Sequence, residues 1–133
     1  WQDSVRKAVF QNGVSQLLCC DMNLDSVAEL NEDRPYESMA QKLLANKMGG
    51  PGGRRLDALL EAAQVLRADG VVYFCHWGCK QTLGNAYPAK ELLERAGIPT
   101  LILDGDGCDT KNVSRGQMDP RLQAFLEILE AKK

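Results

Sequence analysis

Two short runs, Val71-Val72-Tyr73-Phe74 and Thr100-Leu101-Ile102-Leu103, stand about one helix apart in the chain. That spacing restricts the fold more than any other feature. Both runs are apolar with little alternation, as in strands buried on both faces. Residues 82–96 between them read as mostly helical, with Pro88 either kinking the helix or sitting in its first turn, and Gly97-Ile98-Pro99 closes it. Further helices are expected over 35–46, where Met39, Leu43 and Leu44 recur at helical spacing, and over 54–68, where Leu56, Leu59, Leu60, Ala63 and Leu66 share a face. A last helix is expected over 119–132, with Asp119 as its cap, Pro120 at its first position, and Leu122, Phe125, Leu126 and Leu129 inward. Residues 3–11 read as a short helix stopped by Asn12-Gly13, 14–20 as a first strand, and 22–34 as a polar loop or short helix. Strands alternating with helices predict one α/β domain over 1–133, a parallel sheet with helices on both faces.

Composition narrows the function classes. Of 133 residues, 44% are hydrophobic and 26% charged, which is globular rather than disordered composition. Sixteen basic against eighteen acidic side chains give a net charge of −2, which counts against a nucleic-acid surface. No apolar run has the length of a membrane span, so no membrane partner is expected, and no signal peptide is visible. The chain opens on Trp1 and reads as one domain of a longer protein. Five cysteines, Cys19, Cys20, Cys75, Cys79 and Cys108, fit reduced cytoplasmic thiols better than a disulfide framework.

All five cysteines fall at or just past the carboxyl end of an expected strand, the edge at which open parallel sheets bind ligands. Asp21, His76, Trp77, Lys80, Asp104, Asp106 and Asp109 belong to the same edge. Cys19 and Cys20 read first as small core hydrophobes. Cys79 is different: it lies between Gly78 and Lys80 at a loop-to-helix junction. Helix-start amides and a nearby Lys favour the thiolate that a soft metal or cluster iron requires. Cys75, His76 and Cys79 by themselves do not make a zinc site. The loop 104–109 has neither the Glu nor the ligand spacing of a calcium loop. Arg54 and Arg55, at the start of a helix after a glycine-rich turn, are candidate phosphate or coenzyme A contacts, and a solvated helix start is the plainer reading.

The stretches 74–84 (FCHWGCKQTLG), 100–112 (TLILDGDGCDTKN) and 116–129 (GQMDPRLQAFLEIL), with 34–42 and the following GGPGGRR, resemble the 2-hydroxyacyl-CoA dehydratase family. That family includes 2-hydroxyglutaryl-CoA dehydratase and is related to benzoyl-CoA reductase. The resemblance spans the chain as the family's C-terminal domain, and it is most specific from His76 onward. It implies a flavodoxin-like three-layer sandwich within one subunit of a two-subunit enzyme of anaerobes. It implies a 4Fe-4S cluster held by three cysteines, two from the N-terminal part of the subunit and one from this domain, at the position of Cys79. The implied partners are the N-terminal domain, a second dehydratase subunit, an ATP-hydrolysing iron–sulfur activator and an acyl-CoA substrate. The implied chemistry is one-electron reduction of the thioester to a ketyl radical, loss of hydroxide, and removal of the β-proton. The isolated fragment is expected to be inactive and to bind no cluster. Cys19-Cys20 and Met118-Asp119-Pro120 depart from the family pattern. Two other readings stay open, a related benzoyl-CoA-type reductase subunit and a non-enzymatic flavodoxin-like binding module.

Overall fold

The computed structural model describes residues 13, 15–23, 29–112 and 115–132. Within them lie α1 (Pro35–Ala45), α2 (Gly52–Val65), β1 (Val71–His76), α3 (Lys80–Arg95), β2 (Thr100–Gly105) and α4 (Arg115–Glu130), with short 3-10 turns at Asp21–Asn23 and Thr110–Asn112. The two strands pair in parallel, from Val71 opposite Thr100 to His76 opposite Gly105. Both strands therefore end at one level.

Side chains leave the sheet alternately. On one face Tyr73, Cys75 and Ile102 pack with Leu56 and Leu59 of α2 and with Ala86 and Ala89 of α3. Val71 continues that layer against Ala63, Leu93 and Ile98. On the other face Val72, Phe74, Leu101 and Leu103 pack on Leu122 of α4. Helices thus cover both faces, and the expected α/β architecture is present. Ala86 and Ala89, at 3% and 0% exposure, let α3 lie close on the sheet. Leu93, Leu103 and Leu122 are the largest fully buried aliphatic side chains, each worth roughly 2 kcal/mol of burial. On α4 the inward stripe is Met118, Leu122, Phe125 and Leu126.

Several expectations change. Residues 15–20 are not a strand; among the described residues the sheet has two strands only. Leu17 and Leu18, at successive positions, are 49% and 48% exposed. A continuous apolar run becomes a doubly buried strand only where an edge and two covering layers receive it, and periodicity cannot reveal that. Cys19 is exposed and Cys20 half-buried, so Cys19 is no core hydrophobe. The expected helix over 3–11 lies outside the described residues. α1 forms as expected, yet its stripe of Tyr36, Met39, Leu43 and Leu44 faces outward.

Asp119 does not cap the last helix, because α4 begins at Arg115 and carries Pro120 inside it. Met118 supplies the reason: at 4% exposure it belongs to the helix's buried stripe, and a Cβ on Gly105 would stand 2.8 Å from its methyl group. Pro88 likewise sits inside α3. In both helices the residue four before the proline, Gly84 or Gly116, is glycine. Its unsubstituted backbone can tilt away from the proline ring that would otherwise press on its carbonyl.

α2 and α3 end in the same way. The Ile98 amide donates to Leu93 O and the Gly97 amide to Glu94 O, while the Ala68 amide donates to Ala63 O and the Arg67 amide to Gln64 O. This is the Schellman closure, which places one residue in the left-handed region. At α3 that residue is Gly97 (φ 81°); at α2 it is Arg67 (φ 51°). A Cβ there is strained. Arg67→Gly is expected to stabilise the fold by about 0.5–1 kcal/mol, read as a higher urea midpoint at unchanged slope. Gly97→Ala, where a Cβ meets nothing within 4 Å, should lower the midpoint by a similar amount. Unchanged midpoints in both variants would remove left-handed strain from the account of these helix ends.

Candidate functional site

The carboxyl ends of β1 and β2 carry most of the residues singled out from the sequence. The strand β1 delivers Cys75 and His76, and a tight turn through Trp77 and Gly78 leads to Cys79 at the start of α3. The Cys79 amide donates to His76 O at 2.9 Å. Gly78 lets the turn close tightly on the imidazole, since a Cβ would lie 3.2 Å from His76 Nε2. Cys79 then serves as the N-cap of α3: its Sγ accepts from the Thr82 amide at 3.5 Å, and the Thr82 hydroxyl donates to Cys79 O at 3.2 Å. Sulfur takes the place that Ser, Thr, Asp or Asn usually fills.

Two cysteines four residues apart are thereby set to opposite states. Cys75 is 1% exposed, and its thiol donates to Thr82 O at 3.7 Å. Burial, reinforced by the Asp104 charge, pushes its pKa up and keeps it a thiol. Cys79 is half-buried. Hydrogen bonding from Thr82 lowers its pKa, with smaller help from the Gln81 amide and the Arg55 charge, against a partial desolvation that raises it. Cys19, though exposed, is pushed up by partial desolvation and by its neighbours Cys20 and Asp21. Among the described residues Cys79 is the thiol whose surroundings favour the thiolate that a cluster iron binds. One such thiol fits one ligand position of a cluster.

On the α4 side of the sheet the edge has another character. His76 Nδ1 accepts from the Gly107 amide at 3.0 Å and lies 3.7 Å from Asp106 Oδ1. Asp106 organises the loop after β2: Oδ1 accepts from the amides of Cys108 (2.8 Å) and Asp109 (3.1 Å), and Oδ2 from Asn112 Nδ2 (2.9 Å). These donors, Asn112 foremost, hold its pKa down to about 2. His76, Asp106 and Cys108 bring one ligand atom each within 4.8 Å of one another. The His76 and Asp106 acceptors are already engaged by loop donors, so the loop's own hydrogen bonds account for the grouping. The exposed Asp104 lies 3.7 Å from Arg121, whose guanidinium also donates to Ile102 O at 2.7 Å. Trp77, Lys80, Cys108 and Asp109 are exposed on this edge.

The two candidate phosphate arginines part company. Arg54 is exposed and donates to Leu44 O at 2.8 Å. Arg55 is turned inward and paired with Asp21 at 2.6 Å. Sequence reasoning missed this pair, the Thr82 cap and the role of Asn112. Asp21 is thirty-four residues from Arg55, while the Thr82 and Asn112 bonds depend on how a turn and a loop close.

The sequence matches the family described as 2-hydroxyglutaryl-CoA dehydratase, D-component, over residues 5–129. It is 36% identical over 102 residues to the "(R)-phenyllactyl-CoA dehydratase alpha subunit" of Clostridium sporogenes, covering 74% of this chain and 25% of that one. It is 33% identical over 100 residues to the "Lactoyl-CoA dehydratase subunit alpha" of Anaerotignum propionicum, covering 74% and 24%. The chain therefore spans about a quarter of the length of these relatives.

The Asp106 geometry fixes a pH dependence. A carboxyl held below its ordinary value of 3.8 contributes stability that is complete above that value and lost as pH falls through about 2. Asp106→Asn lacks this contribution. The difference in unfolding free energy between wild type and Asp106→Asn should be constant above about pH 5 and shrink toward pH 2. A pH-independent difference would contradict the hydrogen-bonded carboxylate.

Proposed function

The chain belongs to the 2-hydroxyglutaryl-CoA dehydratase D-component family, and on that premise we propose that it is part of a 2-hydroxyacyl-CoA dehydratase subunit, a cytoplasmic hydro-lyase component, in which Cys79 is a ligand of a 4Fe-4S cluster. The reaction is removal of water from an (R)-2-hydroxyacyl-CoA. Its difficulty is that the thioester acidifies the α-hydrogen, whereas the hydrogen that must leave is on the β-carbon. The bound cluster supplies the single electron that makes this thioester reactive.

The observation that carries the reading is the state of Cys79. Its thiol stands at the carboxyl edge of two parallel strands, is held by Thr82 at a helix start, and is shifted toward the thiolate. Cys75, one turn away, is buried as a thiol and supports the strand instead. The other residues of the edge would surround the acyl group: Trp77 offers an exposed apolar face that excludes water, and Lys80 a positive charge. His76 accepts a proton donor at Nδ1, which leaves Nε2 as the proton-bearing nitrogen of the neutral ring. Arg54 is the exposed candidate for a coenzyme A phosphate. The remaining cluster ligands are assigned to the N-terminal part of the same subunit. A second subunit and an ATP-hydrolysing activator complete the assembly.

Cys79→Ser in the full-length subunit is expected to lose most of the cluster iron and, in the assembled complex, the dehydratase activity. Cys108→Ser should keep the iron. Undiminished iron in Cys79→Ser would remove Cys79 from the ligand set and this reading with it.

A further inference from the structure

Helix α3 leaves the thiol turn with an apolar line on its outer side. Cys79, Leu83 and Tyr87 follow at intervals of four residues, which sets them one above another on a helix. The Leu83 amide donates to Cys79 O at 3.0 Å, so the line begins at the candidate ligand itself. Leu83 is 52% and Tyr87 78% exposed. The buried residues of α3, Ala86, Ala89 and Leu93, lie on its inner side against the sheet and α2.

A second apolar face adjoins the same turn. Gln81 Nε2, in the first turn of α3, donates to Met48 O at 2.9 Å, and Arg54 donates to Leu44 O at 2.8 Å. These bonds hold the end of α1 beside the start of α3. There Leu43 and Leu44 are 72% and 73% exposed. Of the eleven residues of α1 only Ser38 is buried, and its hydroxyl turns back on Pro35 O and Asn31 O. A helix this short is stable in water only when an apolar face is packed. α1 therefore calls for a surface that the described residues do not supply.

We propose that the part of the same subunit carrying the remaining cluster ligands docks here, on Leu83 and Tyr87 of α3 and on Leu43 and Leu44 of α1. This rests on the dehydratase reading. Cys79 fills one ligand position, so the body that supplies the others closes over the head of α3. Tyr87 stands eight residues past Cys79, about 12 Å along the helix. An interface of roughly 700 Å² a side reaches about 15 Å from its centre, so a contact centred on Cys79 covers Tyr87 as well. The relatives have the length for it, since this chain spans only 25% and 24% of theirs. A docked apolar face would also keep water from the thiol.

The test is acetylation of tyrosine hydroxyls by N-acetylimidazole in the cluster-loaded full-length subunit without its partner subunit, read peptide by peptide by mass spectrometry. Tyr87 should react about tenfold more slowly than in the same subunit unfolded in urea. Tyr87→Glu places a charge in the contact and should speed the loss of cluster iron to an external chelator about tenfold. Tyr87 reacting as in the unfolded chain overturns the inference. So does protection that appears only once the second subunit is added, or only at concentrations where the subunit self-associates, and so does unchanged iron loss in Tyr87→Glu. Each of these leaves the dehydratase reading standing so long as Cys79→Ser loses its iron. Iron retained in Cys79→Ser overturns both.

Discussion

Everything at the candidate site depends on one parallel strand pairing. Val71 through His76 are matched one for one with Thr100 through Gly105, so both chains leave the sheet at the same height. The turn that presents Cys79 and the loop that Asp106 organises are side by side for that reason. The pairing is extended beyond the ladder by the Trp77 amide, which donates to Gly105 O at 3.1 Å. This bond ties the first residue of the thiol turn to the last residue of β2. A register slip of one residue would exchange the faces of every side chain. Cys75 and Tyr73 would then be sent toward α4, and His76 toward α3.

The sheet also divides the edge into two environments. The α2 and α3 side holds a buried thiol, a buried cation and a buried phenol. The α4 side holds an imidazole and a carboxylate, both stitched to loop amides. Burial and hydrogen bonding, rather than residue type, decide the chemistry of each cysteine. Cys75 is held as a thiol inside apolar packing, whereas Cys79 finds donors from Thr82 and Gln81 where a helix begins.

The parts of this arrangement legible in the sequence are those governed by local pattern. The two strands, the crossover helix and the loop-to-helix junction at Cys79 follow from apolar runs and from Gly-Ile-Pro punctuation. The inward stripe of α4 follows from helical spacing, but its start does not. Pro120 reads as a first-turn residue, and only Met118 packed beneath Gly105 draws the preceding turn into the helix. The end of α2 was hidden because Arg67 occupies a position that normally advertises itself as glycine. Residues 14–20 misled in the opposite sense: their pattern suits a strand, but the sheet does not take 15–20 up. Arg55 was beyond reach, since its partner Asp21 is thirty-four residues away.

The sulfur of Cys79 has two claims on its electrons. It accepts the Thr82 amide and so fastens the first turn of α3. Any metal that bonds to this sulfur competes for the same lone pairs, so coordination and helix anchoring are coupled through one atom. The opening turn of α3 therefore depends on a sulfur acceptor where an oxygen usually stands. The helix it fastens is the one that rests on the sheet through Ala86 and Ala89.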